Sequence, residues 1–142
     1  MESNLRGANA GGYIHKVWTI AQECDGKTPA EANEMVKYEL LKGTTAASVV
    51  LDTATRKGCD PDKADVKDVA DIGVSLATVA DVEKLLDGVD LEKFEIDIYA
   101  GASNIALLAA VITACEKKAW PSKNYMALLP PIRLANLLWT AN

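Results

Sequence analysis

Few residues in this chain have the types and spacing that catalysis or metal binding requires. The single histidine, His15, lies near a glycine-rich amino terminus, and we interpret it as a surface residue. The sequence contains no catalytic triad, phosphate-binding loop, zinc-ligand spacing or dinucleotide fingerprint. We therefore predict no catalytic residue and no metal ligand in the chain.

Four aspartates lie in and around the polar loop that follows the first central apolar run. Their spacing differs from that of an EF-hand loop, so we interpret them as solvated loop acids rather than a cation site. These residues are Asp52, Asp60, Asp62 and Asp65.

Cys59 lies beside two cations, Arg56 and Lys57, which is a setting in which thiols become reactive. No histidine is near it in the sequence, and we interpret it as an incidental thiol. Further along, Glu95 and Asp97 alternate with apolar residues. This alternation predicts a strand with one polar and one apolar face, which we favour over a polar site inside a barrel.

The hydrophobic pattern predicts the elements that position these residues. Apolar runs predict strands, and each later run is followed by a helical pattern, which is typical of parallel βα units in an α/β fold. A polar loop is expected over Thr53–Asp62, and an extended segment over Tyr13–Gln22. The strands are predicted near Ala47–Leu51, Ile72–Leu76 and Phe94–Tyr99, and the helices near Pro29–Lys42, Val79–Asp87 and Asn104–Lys117.

Capping residues mark where the three helices begin. Thr28 and Glu31 form a capping box around Pro29, and Thr78 and Ser103 are predicted to cap the other two helices.

Composition places the chain among globular proteins and excludes two classes of partner. Apolar residues make up 49% and charged residues 25% of the 142 residues, with a net charge of −5. An acidic protein of this kind lacks the basic face that nucleic acid or an anionic membrane requires. The run Ile105–Cys115 is too short to span a bilayer, and no signal peptide is visible. Three widely spaced cysteines, Cys24, Cys59 and Cys115, indicate reduced thiols in the cytoplasm.

The chain divides into a lead, a domain and a tail. We expect a flexible lead over residues 1–12, a βα domain over residues 13–121, and an apolar tail over residues 122–142. Met126–Leu129 suggests a fourth strand that Pro130 and Pro131 cut short. The tail residues expected to form an interface are Ile132, Leu134, Leu137, Leu138 and Trp139.

Several motifs of the central stretch resemble the substrate-binding barrel of the methylmalonyl-CoA mutase family. Trp18-Thr19-Ile20-x-Gln22 is similar to the family's entry segment, and Thr28–Asn33 to the helix start that follows it. Ser48–Asp62 is similar to a barrel strand with its loop, and Gly73-Val74 to the next strand. Phe94–Ala119 aligns with a third strand and its helix. The resemblance implies a partial (β/α) barrel-like parallel sheet of three to four strands with flanking helices.

The family is an adenosylcobalamin-dependent isomerase of acyl-CoA thioesters, but this chain departs from its pattern. Lys16 and Ala21 replace arginines, and Glu23 replaces a tyrosine that lies against the substrate. The loop that supplies the lower cobalt ligand has no counterpart. The substrate-binding candidates were chosen either by resemblance or by their position at strand ends. They are Lys16, Thr19, Glu23, Ser48, Asp52, Tyr99 and Gly101. Thr53 is also placed at a strand end.

Three functions follow from this resemblance. The first, which we favour, is a non-catalytic accessory or assembly subunit. The second is a component of an adenosylcobalamin-dependent mutase that needs a second chain, and the third is a CoA-thioester binding protein. We expect no cofactor in this chain, adenosylcobalamin only through a partner, and association as a homo-oligomer or with a mutase-like chain. An acyl-CoA is the expected small ligand, if there is one.

The purified chain is predicted to have no mutase turnover, even with adenosylcobalamin added. Ala21 and Glu23 stand where the family has an arginine and a tyrosine, so the groups that orient the substrate are missing. Chromatographic assay of methylmalonyl-CoA incubated with the pure protein should give no succinyl-CoA. Detectable succinyl-CoA, absent from a boiled-protein control, would contradict this prediction.

Overall fold

A computed structural model describes residues 18–118 of the chain. The predicted lead, the predicted interface in the tail, His15 and Lys16 therefore lie outside the described residues. The strands and helices of the described part, in chain order, are β1 (Ala21–Cys24), α1 (Pro29–Lys42), β2 (Ala46–Val49), α2 (Thr53–Lys57), α3 (Val79–Leu85), β3 (Glu95–Ile98) and α4 (Asn104–Lys117). Short 3-10 helices cover Val66–Asp68 and Gly101–Ser103.

The strands form one parallel sheet in the order β1, β2, β3, which confirms the predicted α/β fold. Cys24, Val49 and Ile98 are aligned across the sheet and lie on one face. All three belong to a hydrophobic cluster that also contains Val82 of α3 and Leu107 of α4. The helices therefore cover this face of the sheet, where the core lies.

The prediction of a strand near Ile72–Leu76 is wrong. The structure has one isolated bridge in this segment, between Val74 and Leu51. Pairing does not continue because the amide of Leu76 donates to the Thr55 hydroxyl at 3.2 Å instead of to a neighbouring strand. Val74 and Leu76 of this run are buried in the core, while Ile72 is exposed. An apolar pattern cannot distinguish such a packed segment from a strand.

Strand β1 is one of the two edge strands of the sheet, and part of it lies in the segment that we predicted to be extended. The carbonyl of Ile20 accepts hydrogen bonds from the amides of Thr45 and Ala46, at 3.0 and 3.1 Å. The amide of Ile20 donates to the Thr45 hydroxyl at 2.8 Å. These bonds align β1 with β2 at the amino end of the sheet.

The prediction of a polar loop over Thr53–Asp62 is wrong for the first half of this range, which forms helix α2. The Asp52 side chain caps this helix, and Gly58 ends it with φ of +75°. A five-residue helix has no apolar period to reveal it, so its cap is the sole local signal. The predicted Ser103 cap of α4 is also wrong, because the Ser103 hydroxyl donates to the Ala100 carbonyl.

The starts of α1 and α3 follow the sequence prediction. Thr28 and Glu31 form the predicted capping box at α1, which ends at Gly43 with φ of +106°. Thr78 forms a second box with Asp81 at α3, which ends at Leu85, two residues before the predicted end. The bounds of α1 and α4 are those predicted.

Asn33 of α1 joins this helix to the end of α3. Its side-chain amide donates to the carbonyls of Leu85 and Asp87, at 2.7 and 2.9 Å, and the residue is buried. These carbonyls lie at the carboxyl end of α3, where helices leave acceptors without intrahelical donors. One side chain thus satisfies two acceptors and fixes the position of α3 against α1.

Replacing Asn33 should destabilise the fold through these two carbonyls. Asn33→Ala leaves two acceptors unsatisfied and should lower the free energy of unfolding by about 1–3 kcal/mol. Asn33→Asp should cost more, because a carboxylate would face two carbonyl oxygens. Urea unfolding followed by circular dichroism measures both changes. The matched control is Glu34→Ala on the exposed side of α1, and equal stability of the two alanine variants would contradict this role of Asn33.

Candidate functional site

A cavity of about 230 Å³ opens at the carboxyl ends of the three strands. It contains two of the predicted substrate-binding residues from β1 and β2 and one that follows β3. In parallel α/β folds, ligands bind at this edge of the sheet. The lining residues are Glu23, Ser48, Val49, Val50, Leu51, Arg56 and Tyr99.

A second cavity, of about 360 Å³, adjoins the first and shares Arg56 and Tyr99 with it. Its other lining residues are Thr53, Lys57 and Gly101. The structure thus brings Glu23, Ser48, Tyr99 and Gly101 to one edge of the sheet. Glu23 and Ser48 were candidates by resemblance, and Tyr99 and Gly101 were candidates by their position at a strand end.

Arg56 is the residue at this edge that the sequence analysis missed as a site residue. Its guanidinium carbon lies 5.8 Å from the centre of the Tyr99 ring, a cation–π contact. A side chain built on Gly101 would come within 2.8 Å of the Arg56 carbonyl oxygen, so a glycine is needed for this close approach. The sequence signal for Arg56 was its place four residues after Asp52, the cap of α2.

The face of the sheet away from the helices is polar and acidic. Glu23, Ser48 and Asp97 are aligned across the three strands on this face. Towards the amino end, the Thr19 hydroxyl donates to Glu95 at 3.2 Å. Burial raises the pKa of Asp97 above its ordinary value, and the charge of Glu95 raises it further. This open face, defined by Thr19, Glu23, Ser48, Glu95 and Asp97, repels anions.

Asp52 lies beneath α2 and lines neither of the two cavities. It is fully buried, and its two carboxylate oxygens accept hydrogen bonds from the amides of Thr55 and Ala70, both at 2.8 Å. Ala70 has φ of +51°, which costs energy for a residue with a side chain. Asp52 therefore holds the helix start and a strained turn in place, in contrast to the solvated acid that we expected.

Asp71 is a second carboxylate that the sequence analysis did not single out. It accepts hydrogen bonds from the hydroxyl and the amide of Thr53, at 2.6 and 2.9 Å. These two bonds lower the pKa of Asp71 to about 2. Thr53 is thus bonded to Asp71 while it lines the second cavity.

The cysteines are free and differ in exposure, with Cys24 and Cys115 buried and Cys59 exposed. Burial, together with the charges of Glu39 and Asp25, raises the pKa of the Cys24 thiol to about 11. Burial also raises the pKa of Cys115. The two buried thiols are therefore protonated at neutral pH and belong to the core.

The described part of the chain contains no suitable ligands for a metal ion or for the cobalt of a corrin. No group of three or more histidine, cysteine or acidic side chains within residues 18–118 could hold a metal ion. The same residues contain no histidine, the side chain that the family's cobalt-ligand loop supplies. The described residues therefore do not fit adenosylcobalamin. Within the same range, no helix is long and apolar enough to cross a membrane.

Comparison with known proteins identifies the relatives of this sequence. A profile of the methylmalonyl-CoA mutase family matches residues 1–129. The mitochondrial methylmalonyl-CoA mutase of Mus musculus is 34% identical over 112 residues, which cover 78% of this chain. A probable methylmalonyl-CoA mutase large subunit of Mycobacterium bovis is 30% identical over 115 residues, or 80% of this chain. The methylmalonyl-CoA mutase large subunit of Porphyromonas gingivalis is 34% identical over 111 residues.

These relatives are much longer proteins than this chain. The matched region covers 15% of the Mus musculus and Mycobacterium bovis proteins and 16% of the Porphyromonas gingivalis protein. The residues that the family profile matches, 1–129, include the entry segment, β1, β2 and β3.

The bonds between Thr53 and Asp71 should make the fold sensitive to acid. The folded state lowers the pKa of Asp71 from an ordinary value of 3.8 to about 2, so its ionised form stabilises the fold above about pH 4. This stabilisation is lost as the pH falls through the folded value near 2. Thr53→Val removes the hydroxyl donor, and its stability should therefore fall less between pH 4 and pH 2 than that of the wild type.

Thermal unfolding at a series of pH values tests this expectation. The matched control is Thr44→Val, because the buried Thr44 hydroxyl has no hydrogen-bond partner among the described residues. The control should keep the acid sensitivity of the wild type. Identical pH dependence of the two valine variants would contradict the role of Thr53.

Proposed function

We propose that this chain, which belongs to the methylmalonyl-CoA mutase family, acts as a non-catalytic accessory or assembly subunit. In this proposal it retains part of the family's sheet as a surface for binding another protein chain. A second copy of the same chain is the first choice of partner, because closed symmetric assemblies are the commonest oligomers.

The observation that carries the proposal is the incomplete cover of the sheet. The helices pack on one face, while the open face is polar and both outer edges of the sheet lack a paired strand within residues 18–118. Parallel sheets are normally covered on both faces, and unpaired edges bind other strands. A chain with this surface is suited to association with another chain.

The charge of the open face supports a non-catalytic role over the binding of CoA thioesters. CoA carries phosphate groups, and Glu23, Glu95 and Asp97 would repel them at the face that the sheet exposes. No ion pair joins these three carboxylates to a cation within the described range. Arg56 and Lys57 are the cations that line the cavities at the carboxyl edge, and Lys57 is already paired with Asp68 at 2.6 Å. Arg56 is therefore the feature that supports the CoA-binding alternative.

The remaining alternative is a component of an acyl-CoA mutase that needs a second chain. Two relatives are named large subunits, which implies a partner chain in those proteins. In that case a partner would supply both the rest of a barrel and adenosylcobalamin, since residues 18–118 contain no suitable ligand. We propose the cytoplasm as the location for all three functions, consistent with free cysteines.

Light scattering after size-exclusion chromatography tests the association. The full chain should be a dimer or larger at micromolar concentration, and deletion of residues 132–142 should shift it towards the monomer. The deletion removes Ile132, Leu134, Leu137, Leu138 and Trp139, each worth roughly 1.5–3 kcal/mol when fully buried. Leu138→Asp should weaken association, and Thr140→Asp is the matched control of equal charge.

Other outcomes distinguish the alternatives. A full chain that stays monomeric without a partner, unchanged by the deletion, would contradict the homo-oligomer. Calorimetric binding of propionyl-CoA that Arg56→Ala abolishes would favour the CoA-binding protein. Cobalamin or a mutase-like chain that co-purifies with the protein would favour the mutase component.

A further inference from the structure

The outer edge of β1 has backbone groups that point away from the sheet. The carbonyls of Ile20 and Cys24 accept hydrogen bonds from amides of β2 and of the residue after it, at 3.1 and 3.0 Å. Because backbone groups alternate in direction along a strand, those of Ala21 and Glu23 are directed to the opposite side. Both residues are exposed, and β1 has no paired strand on that side within residues 18–118. The amides and carbonyls of Ala21 and Glu23 are therefore open to another strand.

The sequence of this edge does not block such pairing. Edge strands are commonly protected by proline, by lysine or by a bulge. Residues 18–25 contain neither proline nor lysine, and β1 pairs with β2 in an unbroken register from Ala21 to Cys24. Ile20, just before the strand, is apolar and 54% exposed. The edge therefore has the character of a strand that binds rather than of one that is protected.

Helix α1 contacts β1 and carries charges of both signs beside this edge. Burial and then the charge of Glu39 raise the pKa of the Cys24 thiol, which places this glutamate close to β1. Lys42 follows Glu39 at i+3 and so lies on the same side of α1, with its ammonium over the Tyr38 ring at 5.0 Å. Neither Glu39 nor Lys42 forms an ion pair within the described residues.

A second copy of the same chain complements the strand edge. Two strands related by a twofold axis perpendicular to the sheet run antiparallel, and each contact between them occurs twice. If the axis passes through Gln22, Ala21 of each copy pairs with Glu23 of the other, and each pair exchanges both of its backbone hydrogen bonds. An axis at Glu23 would instead set two carboxylates directly opposite each other, which destabilises a strand pair.

The same axis brings the two α1 helices side by side and antiparallel. Helix α1 runs back towards the amino end of β1, so Lys42 lies one turn nearer that end than Glu39. Glu39 lies near Cys24, which is beyond Gln22 in the other direction. An axis at the level of Gln22 therefore sets Glu39 of each copy against Lys42 of the other. Opposite charges placed in this way favour one partner and one register.

We propose that the β1 edges of two copies of this chain pair antiparallel about a twofold axis at Gln22, with reciprocal ion pairs between Glu39 and Lys42 of the two α1 helices. The two sheets then form one continuous sheet with all helices on the same face. The inference rests on the proposed association with a second copy and names the surface that this association uses.

Disulfide cross-linking of the full chain tests the position of the axis. A residue on the axis faces its own copy in a pair without hydrogen bonds, whose Cα atoms lie about 4.5 Å apart, a distance that suits a disulfide. With the exposed Cys59 replaced by serine, Gln22→Cys should give a covalent dimer on mild oxidation, seen by non-reducing electrophoresis. Ala21→Cys is the matched control, and it should cross-link at least about 10-fold less because it lies diagonal to its copy. Equal cross-linking of the two variants would overturn the proposal.

Two further variants test the backbone and the charges of the interface. Ala21→Pro removes an outward amide and leaves the bonds between β1 and β2 in place, so it should dissociate the dimer without changing the circular dichroism. Its matched control, Ala21→Ser, keeps the amide and should remain a dimer. Lys42→Glu should raise the dimer dissociation constant about 10-fold, and the added change Glu39→Lys should restore it. Failure of the double variant to associate better than Lys42→Glu would contradict the ion pairs.

The outcomes separate this inference from the proposed function. A full chain that is a dimer in light scattering but shows no preferential cross-link at Gln22 overturns the β1 interface and leaves association with a second copy in place. A full chain that stays monomeric at micromolar concentration overturns both. If Ala21→Pro unfolds, the cross-linking of folded Gln22→Cys still decides the question.

Discussion

Three parallel strands with helices on one face and none described on the other make this structure dependent on what covers the second face. Hydrophobic burial between sheet and helices stabilises the first face, through residues such as Val49, Ile98 and Leu107. The second face carries Glu23, Ser48 and Asp97 in one aligned row. Its carboxylates repel each other and anionic ligands, so a suitable cover is protein of neutral or basic character.

Strand β3 shows the same division between a face that the helices cover and an open face. Strand β3 directs Ile96 and Ile98 to the helices and Glu95 and Asp97 to the open face. Asp97 is partly buried, and this burial raises the pKa of its carboxyl above the ordinary value. A partner that brought a cation to Asp97 would relieve that cost, which connects the charge of the face to the kind of protein that can bind it.

At the carboxyl edge of the sheet, two of the substrate-binding candidates have structural roles. Asp52 retains a role through the amides of Thr55 and Ala70, because a buried carboxylate needs hydrogen-bond donors wherever it lies. Gly101 retains a role because α2 approaches it closely. Neither role requires a substrate.

The sequence by itself determined the helix bounds of α1 and α4, the parallel α/β class and the alternating faces of β3. The start of α1 follows from its capping box, and the other features follow from hydrophobic period, and both signals act over a few neighbouring residues. Tertiary structure alone decided that Ile72–Leu76 forms one isolated bridge, that β2 lies between β1 and β3, and that Arg56 lies over Tyr99. Each of these depends on contacts between residues far apart in the chain, such as Leu76 with Thr55 and Asp52 with Ala70. The local sequence pattern carries no information about the free energy of such long-range contacts. It therefore cannot predict which of the possible arrangements these contacts stabilise.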